Sequence, residues 1–302
     1  MSLNGKSASH IPLPGIMLLV LLSFLWGANM VTIKVGNQGI PPMLAAAVRS
    51  VIAAALLYLY ARSIRVPVFL PSGYVKHGVM IGVLFGVEFL FLYWGTSFTD
   101  VSRAIIFLYT QPLWTAVLAH FILVDDRLHL GKSVGVLLSF VGLSLVFGSR
   151  SMTLGPDAWV GDVMEVAAGF LWAATTIYIK RFIWNTPITH YQTLFAQLLF
   201  SIPVLAAGSA AFEWGRTVSP TPIVLAALFY QSVIVAFISY LAWFWLIHRY
   251  QASRISAFTF LSPLFGVVLG GLLLGEALTP ILWVGLTLVA GGIYLVNRPR
   301  SL

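Results

Sequence analysis

The sequence predicts an all-α integral membrane protein: ten transmembrane helices forming two inverted five-helix repeats, residues 1–150 and 151–302, with both termini cytoplasmic. Three observations carry this. Of the 302 residues, 59% are hydrophobic and 9% charged, and the mean hydropathy is +0.94, which leaves too few polar side chains to cover a water-soluble globule. The apolar residues gather into ten continuous runs, each close to the ~20 residues that cross a hydrocarbon core about 30 Å thick as a helix. Segments of the first half also recur in the second.

The runs extend from Leu13 to Val35, Pro42 to Ala61, Gly78 to Thr96, Ser102 to Val124 and Leu130 to Gly148. They continue from Ala158 to Ile179, His190 to Gly208, Pro222 to Ile247, Ile255 to Leu274 and Leu278 to Val296. They are unbroken and rich in Leu and Ala, whereas a membrane β-barrel strand alternates. The first is longer than a signal-peptide core and ends in "TIKVG" without a cleavage pattern, so it is expected to stay as an anchor. The connections are short, with Pro and Gly punctuation such as "GNQGIPP" and "VSPTPI", and leave no room for a soluble domain.

With the N-terminus inside, twelve of the 17 basic residues fall on the cytoplasmic side. Lys34, Arg103, Arg150 and Arg216 fall outside, and Arg49 lies within the second run. That bias sets the orientation. The net charge of +8 is therefore read as topology, since the basic residues form no patch for nucleic acid. No cysteine is present, which excludes disulfides and thiolate metal sites.

The internal repeat begins with "FLWGANMVTIK", Phe24 to Lys34, and "FLWAATTIYIK", Phe170 to Lys180, which share six of eleven residues. "TQPLWTAVLAHFILVDDRL", Thr110 to Leu128, matches "LSPLFGVVLGGLLLGEAL", Leu261 to Leu278, with Pro112 opposite Pro263 and Asp126 opposite Glu276. "YWGTSFTDVSR" and "FWLIHRYQASR" align at a constant offset of 151 residues. Five is odd, so the second copy enters the membrane from the opposite side, and a substrate site is expected near mid-membrane where the halves meet.

These segments resemble the drug/metabolite transporter superfamily, specifically its EamA family. The resemblance rests on "FLWGAN…K", the proline early in helix four, and "LSPLFGVVLGGLLLGEALTPILWVGLTLVAGG", and it covers nearly the whole chain. The aromatic-rich helices and "GVEFLFLYWG" look most like the YddG amino-acid exporters. The resemblance implies a cavity lined by helices one, three, four, six, eight and nine, and export of small metabolites. The first copy has "VDDRL" where the family pattern has "GE.L", so no shared role is assigned to that loop.

Among individual residues, Glu88 is the acidic residue deepest in an apolar run, where a carboxylate is costly unless protonated, paired or wetted. Gly78, Gly82 and Gly86 form a small-residue ridge on the same helix. Glu88 lies about 200° around from Gly86 and so points away from that ridge. Two readings stand: a proton-coupling or amine-binding group, or a structural partner of Arg49. Trp26 and Trp172 are repeat-equivalent, with Asn29 and Thr176 about one turn further on. Such faces suit a substrate with an apolar side chain and charged ends, although membrane tryptophans also serve as anchors. Glu165 shares the face of Trp172, seven residues away, or is simply an early-turn carboxylate.

Pro112 and Pro263 each remove a backbone donor and bend their helices, which marks them as candidate hinges with Tyr109 and Gln111 as polar contacts. Ser239, Tyr240 and Trp243 occupy the second-half positions of Glu88, Phe89 and Leu92. His120, Gln197 and Gln231 read as interhelical hydrogen-bond formers, and the Gly266–Gly270 and Gly271–Gly275 pairs as packing surfaces. No nucleotide-binding loop, metalloprotease motif, clustered acidic metal site or ion filter is written in the sequence, so neither cofactor nor metal is expected.

The reading is a non-enzymatic secondary transporter of the cytoplasmic membrane. It exports amino acids, bulky apolar ones included, by alternating access, with the lipid bilayer and a small-molecule substrate as partners and a proton as a candidate coupling ion. Sugars, nucleotide sugars and organic cations are the rival substrates, and a non-transporting membrane protein is the rival class.

Overall fold

The computed structural model describes residues 8, 10–149, 155–274 and 278–298. Among them are ten helical segments long and apolar enough to span a membrane. They are α1 (Leu13–Gly36), α2 (Pro42–Ser63), α3 (Ser72–Gly95), α4 (Val101–Ile122), α5 (Leu130–Gly148), α6 (Ala158–Phe182), α7 (His190–Phe212), α8 (Pro222–Ile247), α9 (Ala252–Leu273) and α10 (Pro280–Asn297). The hydropathy runs locate all ten, and the largest displacement is at α3. There a 3₁₀ turn, Ser72–Tyr74, starts the segment six residues before Gly78. Gly275 and Glu276 lie outside the described residues.

Local chemistry fixes the ends. Proline opens α2, α8 and α10, where the missing N–H costs nothing. Thr189 and Gln192 close a capping box on α7. Asp100 Oδ1 accepts the Ser102 amide at 2.8 Å to start α4. Glu213 reaches across from the end of α7 and accepts the Met43 and Leu44 amides of α2 at 2.9 and 3.0 Å. The orphan donors of a helix start that opens on two prolines are thereby satisfied.

Three segments depart from regular α-helix in their interiors. α4 is interrupted at Tyr109–Thr110, between Val101–Leu108 and Gln111–Ile122. α9 passes through a 3₁₀ turn, Phe258–Phe260, before Leu261. The breaks precede Pro112 and Pro263 by a few residues, so these prolines begin new helical pieces instead of bending continuous ones. Middle residues of α8, Tyr230–Ser239, are wound as π-helix, a feature that hydropathy cannot signal.

α1 packs on α8 and α9, α6 on α3 and α4, α2 on α7 and α8, α3 on α7, and α5 on α10. Lipid-facing surfaces carry exposed Phe121, Ile223 and Leu272, as a hydrocarbon solvent requires. Close crossings rely on glycine. A Cβ at Gly135 would sit 2.6 Å from the Gly292 carbonyl oxygen, and one at Gly285 would sit 2.8 Å from that of Gly142. The α3 ridge is pressed against α7: a Cβ at Gly82 would lie 2.4 Å from Phe200 Cβ and 2.9 Å from its carbonyl carbon. Gly82→Leu should therefore destabilise the protein by about 1–3 kcal/mol through overpacking. The check is the thermal midpoint in detergent, with Gly73→Leu, which meets nothing within 4 Å, as the unchanged control.

Candidate functional site

With α7 behind the glycine ridge, the opposite face of α3 turns inward, and Glu88 with it. It joins a cavity of about 730 Å³ lined from α1 to α9, with α5 and α7 contributing one residue each, Phe147 and Gln197. At one end lie exposed residues from helix termini: Lys34 of α1, Asn37 just after it, Thr96 after α3, and Val101 of α4. At the other end Ile179, Phe244 and Ile247 are 0%, 3% and 1% exposed. The cavity therefore opens on one face of the helix bundle and is closed at its floor.

A connected set of aromatic rings forms part of its wall. Tyr109 and Trp172 have centroids 6.1 Å apart, Trp172 and Trp26 6.2 Å, and Trp26 and Trp243 5.1 Å. Trp26 also meets Tyr240 at 6.3 Å, which leads through Phe85 and Phe89 to Tyr93 at centroid spacings of 6.1, 4.7 and 5.6 Å. Edge-to-face geometry predominates around Trp26 and holds the rings upright. Trp26 is fixed further because its Nε1–H donates to Ser239 Oγ at 2.9 Å, and Ser239 donates to the Val235 carbonyl at 2.7 Å. Ser239 and Val235 both belong to the π-helical stretch, so the irregular winding presents the acceptor that orients the indole.

The lining includes Trp26, Asn29, Glu88, Tyr109, Trp172, Thr176, Tyr240, Trp243 and Pro263. Ser239 stands behind Trp26. Gln111 and Pro112 lie outside the lining. Gln111 is fully buried; its Nε2 donates to Thr115 Oγ1 at 2.9 Å and its Oε1 accepts from Thr259 Oγ1 at 3.4 Å. It thus ties the break in α4 to the break in α9. Glu165 is also outside, packed on Gly95 at the α3–α6 crossing with both oxygens lacking a hydrogen-bond partner. Gln231 Nε2 donates to the Thr32 carbonyl of α1 at 3.3 Å, and His120 Nδ1 accepts the Leu128 amide at 3.1 Å. Gln197 instead joins the lining.

Sequence reasoning does not assign Arg49, Phe85, Phe89 and Tyr93 to the site, yet all four line the cavity. The three aromatics follow a four-residue spacing beside Glu88, a signal present in the sequence. Arg49 is 1% exposed and stacks over Phe89 with its guanidinium carbon 4.4 Å from the ring centroid. Nε and Nη2 of Arg49 and Oε2 of Glu88 are buried without hydrogen-bond partners.

The closed face is held by polar groups. Asp126 Oδ1 accepts from Lys132 Nζ at 2.5 Å and from Ser253 Oγ at 2.5 Å, while Oδ2 accepts the Ser253 amide at 2.9 Å. Gln251 Oε1 accepts from Lys132 Nζ and Arg254 Nε, and its Nε2 donates to the Asp125 carbonyl. Arg254 Nη1 reaches the Asn297 carbonyl at the end of α10 at 2.6 Å. The "VDDRL" loop is thus the centre of a buried latch joining the ends of α4, α5, α9 and α10. Beside it, burial together with the charge of His190 and Lys180 pushes His248 down to about 3. Its ring therefore stays neutral near pH 7 and meets Thr193 Oγ1 at 3.3 Å. Among the described residues no group of three His, Asp or Glu is placed to hold a metal ion.

A pocket with aromatic walls, open on one face and closed on the other within a bundle of membrane-spanning helices, fits a membrane transporter of small solutes. Comparison with known proteins agrees. The "Probable amino-acid metabolite efflux pump" of Escherichia coli (strain K12) is 28% identical over 92% of this chain and 93% of its own length. The namesake from Salmonella typhimurium is also 28% identical, with the same coverage. "Uncharacterized transporter YoaV" of Bacillus subtilis is 24% identical over 92% of this chain and 94% of its own. A crystal structure at 19% identity superposes with a TM-score of 0.78 over 92% of this chain and 94% of that one, which shows a shared fold. The model of the EamA-like transporter family matches residues 13–148 and again 159–298, and the chain accordingly belongs to that family: it is a multi-pass membrane transporter and not an enzyme.

Proposed function

We propose that the protein exports amino acids and related small amphipathic metabolites across the cytoplasmic membrane by alternating access of two inverted halves, residues 1–150 and 151–302. The observation that carries the substrate reading is the cavity: a cluster of aromatic side chains on its wall beside polar groups that include Asn29, Thr176, Glu88 and Arg49. Such a lining matches a solute with a bulky side chain and charged ends. The relatives named as amino-acid metabolite efflux pumps support both the direction and the class.

The two-half reading is supported by the packing. Renumbering helices by five turns α1 on α9 into α6 on α4, α1 on α8 into α6 on α3, and α2 on α8 into α7 on α3, while α2 on α7 and α5 on α10 map onto themselves. The family model also matches twice. With the basic-residue bias placing both termini inside, the open rim faces outward and the Asp126 latch closes the cytoplasmic side. Transport then requires the latch to open and the rim to close, with the breaks before Pro112 and Pro263 as hinges.

The test is counterflow of labelled phenylalanine into proteoliposomes preloaded with unlabelled phenylalanine. Saturable accumulation without an imposed ion gradient is the expected result. Its absence in folded protein, with displacement of a probe by sugars or organic cations instead, would sink the amino-acid reading and leave the carrier architecture intact.

A further inference from the structure

We propose that Arg49 and Glu88 together form a zwitterion subsite, Arg49 taking the substrate's carboxylate and Glu88 its ammonium group, while the aromatic wall takes the side chain. This rests on the amino-acid reading above. Both residues line the cavity, from α2 and α3 respectively. Each lies seven residues from the rim-side end of its helix, which puts both at about 10 Å depth at 1.5 Å per residue. Trp26 is ten residues from the rim-side end of α1 and Trp172 is fourteen from that of α6, about 15 and 21 Å down. A solute entering from the rim meets the two charges first, and its side chain reaches the indoles.

The charges are unsatisfied in a way that calls for a ligand. Arg49 is 1% and Glu88 6% exposed, yet Nε and Nη2 of the one and Oε2 of the other make no hydrogen bond. Buried atoms of an ionic group left without hydrogen-bonding partners are costly, and a dense structural pair would have closed those valences. Arg49 instead rests on Phe89 and shares a side-chain hydrogen bond with Tyr240, which still leaves Nε and Nη2 without partners. A molecule with one carboxylate and one ammonium on the same carbon supplies both missing partners at once. A simple amine or acid supplies one and leaves the other charge stranded. The remaining charged groups of the lining, Lys34 and Asp100, sit at the rim.

The test deletes the groups from the ligand side first, which leaves the protein untouched. In wild-type counterflow of labelled L-phenylalanine, unlabelled L-phenylalanine should compete at least about tenfold better than phenethylamine, which lacks the carboxylate, or 3-phenylpropionate, which lacks the ammonium group. Arg49→Gln should weaken L-phenylalanine to the level of phenethylamine while leaving phenethylamine itself unchanged. Glu88→Gln should bring phenylalanine and phenylpropionate together in the same way. Equal competition by either analogue in wild type overturns the subsite and leaves amino-acid transport standing, as does an Arg49→Gln protein that keeps the wild-type preference. Wild type that accumulates no labelled phenylalanine overturns the amino-acid reading and the subsite with it. If a variant does not fold, the wild-type competitor series alone decides between these outcomes.

Discussion

Trp172→Ala and Trp26→Ala should each raise the KM for phenylalanine counterflow by about thirtyfold, the equivalent of roughly 2 kcal/mol for a buried aromatic anchor. The two indoles are 6.2 Å apart and each touches a further ring of the wall, Tyr109 or Trp243. Truncating either opens the pocket and removes an edge-to-face partner of the other. Their effects should therefore be less than additive in the double variant. Trp26 has a second function, since its Nε1–H holds Ser239. Trp26→Phe should recover part of the affinity but not all, because the ring returns without the donor. Trp283→Ala is the control: it is 61% exposed on α10, away from the cavity. An unchanged KM in both alanine variants would mean that substrate does not use this wall.

Asp126→Asn should release the latch. Asp126 and Lys132 are 1% and 2% exposed, and removing one partner of a buried ion pair costs about 3–5 kcal/mol because the other charge is left uncompensated. That cost falls on the conformation in which α4, α5 and α9 are latched. The balance of states should shift by two orders of magnitude or more toward opening on that side. The chain has no cysteine, so a single one reports accessibility on a clean background. Ile255→Cys, fully buried under the latch, should react with an impermeant maleimide at least about tenfold faster when Asp126→Asn is added. Phenylalanine exchange should slow at the same time, since a carrier trapped on one side cannot cycle. Equal labelling rates with and without Asp126→Asn would show that the network is a static brace and not a gate.

The same network shows where sequence reading runs out. Asp125 to Arg127 is a short acidic loop that departs from the family pattern, and in the sequence nothing assigns it a role. Its meaning lies in Ser253 and Gln251, more than 120 residues away. A contact of that range leaves no periodicity in the chain. Arg49 is similar: in the sequence it is one basic residue in an apolar run, with pairing to Glu88 as the plain alternative. Only the placement of α2 against α8 and α3 shows its guanidinium over Phe89 with two nitrogens unpartnered. Gln111 departs in the other direction. Its nearness to Pro112 suggests a place beside the substrate, and it is turned instead into the link between the broken helices.

Bilayer thermodynamics and helical periodicity act locally, and what they impose is readable in the chain alone. The number and position of the spans follow from hydropathy, because an apolar run of that length has no other stable environment. The inward direction of Glu88 follows from its angle to the glycine ridge, because the ridge must take the close helix contact. Other features depend on which helices meet, and these belong to the tertiary structure: the single lining that gathers Trp26, Trp172, Tyr240 and Trp243, the π-helical acceptor for Trp26, and the closed face opposite the open rim. Those are packing outcomes between segments far apart in the chain, fixed by side-chain shape and partner geometry, which no local pattern records.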